Sequence, residues 1–293
     1  LLWAAGQLLH GAVTIGVLVL CVQAVQRGQA AIAALLGACA GLFEDALFLQ
    51  SFEELLNQPS RICAPPDPAP VPDRITRGIV FENVSFAYPG TGRSVLKNLS
   101  CEMLSGERVF LAGANGTGKS TLIKLLCRLY DPSGGRILVD GVDLREFDPS
   151  AWRAKVGALF QDFNSYQLTA RENIWIGHTR TAPDAPQIER AAQDAGLDPL
   201  TDRWPQGLQT LLGRWLHDGV EPSAGQWQKL ALARVFLRPA LLYVLDEPAS
   251  ALDNNARGEL FETMRRRGGD RIILFTSHRD LTPGQADRVI TLE

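Results

Sequence analysis

Residues 113–120 read Gly-Ala-Asn-Gly-Thr-Gly-Lys-Ser, and no other stretch of the chain restricts its fold as tightly. The apolar run Val109 to Ala112 precedes it. Lys119 to Leu129 follows as a helix with Leu122, Ile123, Leu125, Leu126 and Leu129 available for packing. The octapeptide therefore joins a strand to a helix. In that setting Gly116 and Gly118 let backbone N–H groups curl around phosphates, and the helix start adds its positive end. The expected nucleotide contacts are Gly113, Ala114, Asn115, Gly116, Thr117, Gly118, Lys119, Ser120 and Thr121. Lys119 would neutralise the β and γ phosphates, and Ser120 would ligate Mg²⁺. A phosphate site does not by itself name a reaction.

Three further strand ends carry polar groups. Leu241-Leu242-Tyr243-Val244-Leu245 lacks alternation, as a parallel strand buried on both faces does, and it delivers Asp246 and Glu247 at its carboxyl end. Asp246 would hold Mg²⁺, while Glu247 is placed to polarise an attacking water as general base. Val156 to Phe160 finishes at Gln161, and Ile272 to Phe275 leads into Thr276, Ser277 and His278. Ligands of open α/β sheets sit beyond the carboxyl ends of the strands, so these endings converge on one site. Gln161 would order Mg²⁺ and water there, and His278 would donate to the γ phosphate. Separately, Ser223-Ala224-Gly225-Gln226 has capping-box spacing before a helix from about Trp227 to Leu237, an end that offers hydroxyl and backbone donors to an anion. Taken singly, each feature also fits a plainer role: a charged turn before Pro248, a solvated Gln161 or His278, a simple helix cap at Ser223.

In this order the residues resemble the ABC ATPase family, with Walker A at Gly113 to Ser120, the Q-loop at Gln161 and the signature at Ser223 to Gln226. Walker B then falls at Leu242 to Glu247, the D-loop at Ser250-Ala251-Leu252-Asp253, and the switch at His278. Tyr88, in Phe86-Ala87-Tyr88-Pro89, looks like the aromatic that stacks on adenine in this family, although a Tyr before a turn often only packs. The resemblance covers residues 78–293 and implies an α/β P-loop NTPase domain with a mixed sheet and a helical subdomain. ATP and Mg²⁺ are the implied cofactors. The signature residues Ser223, Gly225 and Gln226 would act on nucleotide held by the opposite subunit.

Outside that region the composition changes. Leu8 to Val25 has only His10, Thr14 and Gln23 as clearly polar side chains and is close to the length that spans a bilayer. A second apolar stretch begins at Ala30, beyond Gln26-Arg27-Gly28-Gln29. Residues 1–56 thus predict two transmembrane α-helices, which the resemblance implies are the last two of an exporter's membrane domain, with the loop near Arg27 facing outward. Gly37, Ala38, Ala40 and Gly41 would permit close helix packing, and Glu44 and Asp45 need a partner, a wet cavity or the interface. Residues 57–77 carry Pro59, Pro65, Pro66, Pro68, Pro70 and Pro72 and predict a semi-rigid linker. By the resemblance, residues 78–293 would be the ATP-binding domain. With 29 Lys and Arg against 32 Asp and Glu, the net charge of −3 gives no general pull toward nucleic acid, and no nucleic-acid partner is expected. Cys21, Cys39, Cys63, Cys101 and Cys127 share no metal-type spacing and read as small apolar residues.

The resemblance implies a half-transporter that hydrolyses ATP to export an unidentified substrate. Its partners would be a second half-transporter, identical or different, and membrane lipid, and its location a bacterial inner membrane with the ATP-binding domain in the cytoplasm. Two other readings stay open: a soluble ABC ATPase of DNA repair, chromosome maintenance or translation, with residues 1–56 as a packing hairpin, and a hydrolysis-impaired half of a heterodimer. The second is motivated by the signature, where the family commonly has Leu-Ser-Gly-Gly-Gln and this chain has Pro222 first and Ala224 third. Pro222 fixes its own φ, and Ala224 adds a β-carbon where the backbone would approach phosphate. The start at Leu1-Leu2-Trp3 and the end at Glu293 read as those of a fragment.

Overall fold

The computed structural model describes residues 14–58, 60–201, 203–214, 219–277 and 284–292. The chain divides into two compact units, residues 1–60 and 61–293.

Among the described residues, the first unit holds one helix, α1 (Ile15–Leu56), of 42 residues. The expected break between helices at Gln26-Arg27-Gly28-Gln29 is absent, because α1 runs unbroken through it. Gln and Arg are good helix formers, no proline removes a hydrogen bond, and the single Gly28 costs only about 1 kcal/mol relative to Ala. Polarity alone does not break a helix. Residues 8–13 of the first expected span lie outside the described residues. At about 1.5 Å per residue α1 is roughly 63 Å long, about twice the hydrocarbon thickness of a bilayer. It is long and apolar enough to cross a membrane, and none of its residues is buried within the protein.

The second unit contains, in chain order, β1 (Gly78–Ala87), β2 (Ser94–Leu104), β3 (Arg108–Ala112), α2 (Lys119–Leu126), β4 (Gly134–Val139), β5 (Val142–Asp143), α3 (Pro149–Ala154), β6 (Val156–Leu159) and α4 (Ala170–Trp175). There follow α5 (Pro186–Asp194), α6 (Asp198–Thr201), α7 (Ala224–Leu237), β7 (Leu242–Leu245), α8 (Asn254–Gly268), β8 (Ile272–Phe275) and β9 (Arg288–Thr291). The strands form two sheets, an antiparallel one in the order β2-β1-β4-β5 and a parallel one in the order β6-β7-β8-β3-β9.

The apolar runs of the parallel sheet separate onto two faces with period two. Val109, Leu111, Leu242, Val244, Ile272 and Leu274 join one core, shared with Leu122 and Ile123 of α2 and with Ile79 and Phe81 of β1. Tyr243, Leu245, Ile273 and Phe275 join a second core with Ile174 of α4, Ile188 of α5, Leu230 of α7 and Phe261 of α8. The second core holds α4, α5 and α7 together as the expected helical subdomain. A strand buried on both faces cannot alternate, which is why β7 and β8 read as continuous apolar runs.

Two local expectations need correction. The helix after the phosphate loop ends at Leu126, not Leu129: Arg128 adopts φ 49° and turns the chain, leaving Leu129 42% exposed. The proline-rich segment contains no regular helix, but residues 61–77 belong to the second unit and are not a free linker. Ile75 is buried, Ala69 and Val71 pack on the first core, and the Ala69 N–H donates to the Glu146 carbonyl at 2.9 Å. Asp140, at the end of β4, accepts the backbone N–H groups of Thr76, Arg77 and Gly78 at 2.8, 2.7 and 3.0 Å. Small apolar residues between prolines supply the contacts that composition alone hid. Pro59 lies outside the described residues.

Candidate nucleotide-binding site

The loop from Gly113 to Gly118 connects β3 to α2. Gly116 and Gly118 sit at φ 85° and 101°, a region closed to most side chains. A β-carbon on Gly118 would also lie 2.7 Å from Leu96 Cδ2. Gly118 is the N-cap of α2 and provides no side-chain hydrogen bond, so that cap leaves the first-turn N–H groups to an outside acceptor. The Lys119 ammonium donates to the carbonyls of Gly113 and Ala114 at 2.6 and 2.8 Å, which folds it back over the loop.

A cleft of about 320 Å³ opens there, lined by Asn115, Gly116, Gly118, Lys119, Ser120, Thr121, Gln161, Asp246, Glu247 and Val95. The structure therefore unites the phosphate loop with the ends of β6 and β7. Parallel pairing explains the meeting, because β7 and β8 are in register from Leu242↔Ile272 to Leu245↔Phe275 and β8 is flanked on its other side by β3. All these strands end on the same side.

Asp246 is buried, and both its oxygens are engaged: Ser120 Oγ donates to Oδ2 at 3.1 Å and Thr276 Oγ1 donates to Oδ1 at 2.6 Å. Glu247 has a left-handed backbone, φ 53°, a conformation that costs a non-glycine residue on the order of 1–2 kcal/mol. Its N–H donates to Thr276 Oγ1 at 2.9 Å and its carbonyl accepts from Gln228 Nε2 at 2.8 Å. Gln228, buried on α7, also donates to Ser250 Oγ and accepts from the Ala251 N–H. One amide thus joins α7 to the exit of β7 and to the following loop. Arg234, farther along α7, donates to the Asn173 carbonyl at 2.9 Å and to Asn173 Oδ1 at 2.6 Å, with its guanidinium over the Tyr166 ring. Burial pushes Arg234 down to about 10, which leaves it charged at neutral pH.

Ser223, Gly225 and Gln226 do not line this cleft. They form the first turn of α7 with the complete capping box: the Ser223 N–H donates to Gln226 Oε1 at 2.8 Å and the Gln226 N–H to Ser223 Oγ at 3.4 Å. Gly225 lies against the loop after β7, where a β-carbon would fall 2.8 Å from the Ala251 carbonyl oxygen. Pro222 is buried and leaves the capping box intact, while the Ala224 methyl is exposed. Tyr88 does not line the cleft either. Its hydroxyl pairs with Thr121 Oγ1 at 3.0 Å, and its ring meets Phe86 and Tyr130 edge-on at 5.0 and 5.3 Å. His278 lies outside the described residues. Thr276, which bonds the Asp246 carboxylate and the Glu247 N–H, and Gln228, which bonds the Glu247 carbonyl, carry no motif of their own in the sequence. The signal that could have found Thr276 is the pairing of β7 with β8, which sets position 276 beside 246.

A glycine-rich turn between a parallel strand and a helix, faced by two carboxylates from the next strand but one, defines a P-loop nucleotide-binding domain. The chain belongs to the ABC transporter family, whose model matches residues 96–250, and so carries an ATP-binding domain. It is 41% identical over 215 residues to the subtilin transport ATP-binding protein of Bacillus subtilis, covering 73% of this chain and 35% of that protein. It is 31% identical over 283 residues to the nisin transport ATP-binding protein of Lactococcus lactis, covering 97% and 47%. Among solved structures, a bacterial Atm1-family ABC exporter with ATP bound matches with a TM-score of 0.77 at 30% identity, over 85% of this chain and 42% of that one. The chain thus spans between about a third and a half of the length of these relatives.

Proposed function

We propose that the protein is the ATP-hydrolysing subunit of an exporter, in which ATP held between two such domains closes a dimer and hydrolysis reopens it. The observation that carries this reading is the convergence of Lys119, Ser120, Gln161, Asp246 and Glu247 on one cleft. Lys119 and the loop N–H groups, from Gly113 through Thr121, hold the phosphates. Glu247 accepts a proton from the attacking water, Gln161 helps to orient that water, and His278 donates to the γ phosphate. Two hard oxygens, Ser120 Oγ and Asp246 Oδ2, lie 3.1 Å apart, and Gln161 lines the same cleft, a donor set that suits Mg²⁺. Held by these residues, the ion would supply positive charge that offsets the negative charge developing on the phosphates. Tyr88 is the adenine-side aromatic, steadied by Thr121.

Ser223, Gly225 and Gln226 serve the nucleotide of the opposite subunit, a reading supported by their position outside the chain's own cleft. Residues 78–293 are the ATP-binding domain, residues 57–77 the strap that leads into it, and residues 1–56 the end of a membrane domain. The apolar surface of α1 supports a place in the membrane, here assigned to a bacterial inner membrane with the ATP-binding domain on the cytoplasmic side. The transported substrate is of unassigned class. The exposed Ala224 methyl at the signature favours one refinement, a pair of unequal ATP sites in which the partner's nucleotide is held less well. Membranes from cells that express the protein test the proposal: the chain should stay in the pellet through an alkaline wash, and the pellet should release phosphate from Mg·ATP. Release of the chain into the wash would favour a soluble ATPase, and absent phosphate release would favour a regulatory subunit.

A further inference from the structure

We propose that Thr276 is the positioning residue for both carboxylates at the end of β7, an inference that rests on the ATP-hydrolysing reading of the cleft. Thr276 is 1% exposed and follows the last residue of β8. Its own N–H donates to the Leu245 carbonyl at 3.0 Å, which continues the β7–β8 ladder and brings the side chain alongside Asp246. A hydroxyl has one hydrogen and two lone pairs. Thr276 gives its hydrogen to Asp246 Oδ1 at 2.6 Å and uses a lone pair for the Glu247 N–H at 2.9 Å. A single buried atom therefore contacts both adjacent residues.

Each contact has a separate effect. Anchoring Oδ1 fixes the plane of the Asp246 carboxylate and leaves Oδ2 facing Ser120. Accepting from the Glu247 N–H holds that residue in its left-handed conformation, with Gln228 gripping the same peptide from the carbonyl side. That backbone determines where the Glu247 carboxylate starts from. Without the hydroxyl, Asp246 Oδ1 loses the hydrogen bond that Thr276 donates, and Glu247 can relax toward ordinary φ.

Replacing Thr276 by Val keeps the shape and removes the hydroxyl; Thr276→Ser keeps the hydroxyl and removes a methyl. In the membrane-embedded protein, kcat for ATP should fall about 10- to 100-fold in Thr276→Val, each tenfold being about 1.4 kcal/mol of barrier. KM for ATP should stay within about threefold, because Lys119 and the loop N–H groups are untouched, and Thr276→Ser should stay within about threefold of wild type in both. A second readout does not depend on turnover: the extra rise in Tm on adding ATP with Mg²⁺, beyond ATP with EDTA, should shrink in Thr276→Val and persist in Thr276→Ser. If Val does not fold, Thr276→Ala takes its place. Val or Ala equal to wild type, or Ser as impaired as Val, would overturn the proposal. Wild-type protein that neither hydrolyses ATP nor responds to Mg²⁺ would instead refute the reading on which it rests.

Discussion

Ser120 Oγ lies 3.1 Å from Asp246 Oδ2, a bond across 126 residues of sequence that ties the start of α2 to the end of β7. It fixes the spacing between phosphate loop and carboxylate before any ligand arrives. The site is therefore built by sheet order, because β7 and β3 flank β8 and deliver their ends to the same side. Removal of charge from the loop side should leave that frame standing. Lys119→Ala is expected to lower ATP affinity by about tenfold or more, since a desolvated charge contact to phosphate contributes on the order of 1.5–3 kcal/mol. Titration with a fluorescent ATP analogue checks this, and unchanged affinity would remove Lys119 from the phosphate site.

Gly225 has no room for a side chain toward the loop after β7, where a β-carbon would stand 2.8 Å from the Ala251 oxygen. Backbone must move to accept it. Gly225→Ala is expected to lower Tm by a few degrees and to reduce ATP turnover. Scanning calorimetry together with phosphate release tests the pair, and a variant equal to wild type in both would mean that the loop yields without consequence.

Pro222 and Ala224 are the two departures of the signature. Pro222→Leu combined with Ala224→Gly is expected to raise the turnover of the assembled transporter several-fold while leaving the Ser223–Gln226 capping box unchanged. An unaltered rate would end the idea of unequal sites.

Asp140 offers a test by pH. Partial burial pushes its carboxyl up, but the N–H groups of Thr76, Gly78 and Arg77 and the Thr76 hydroxyl outweigh that and hold it below the usual carboxylate value. A carboxyl depressed in the folded state stabilises fully above its unfolded pKa of about 3.9, and that contribution is lost as pH falls through the folded value. Asp140→Asn should therefore melt lower than wild type at pH 7, with the gap closing below about pH 4. A gap independent of pH would show that the contacts act through shape alone.

The sequence was most informative where chemistry and period coincide. The loop at 113–120 requires glycine at positive φ, and β7 must be apolar at every position because both faces are covered, so both could be read before folding. Residues 61–77 were harder, because a docked strap and a free linker share the same prolines. Their difference lies in the partners of Ala69, Val71 and Ile75, which composition does not contain. The expected break at Gln26–Gln29 is absent for a different reason: polarity is no turn signal where neither proline nor a turn motif supports one. The motif around Tyr88 points to adenine, and the structure adds what the motif does not show, its bond to Thr121 and its packing on the first core. Thr276 was unremarkable until β8 was set beside β7, since its role depends on register and not on local sequence.

The proposed function makes Glu247 the general base of an ATP site whose closing face comes from a second subunit. The most direct test is Glu247→Gln in the membrane-embedded protein, with phosphate release and retained nucleotide measured on the same sample. Phosphate release is expected to fall by about 10²-fold or more, the scale of a lost general base, while ATP remains bound and the dimer stays closed. Phosphate release at the wild-type rate would contradict it.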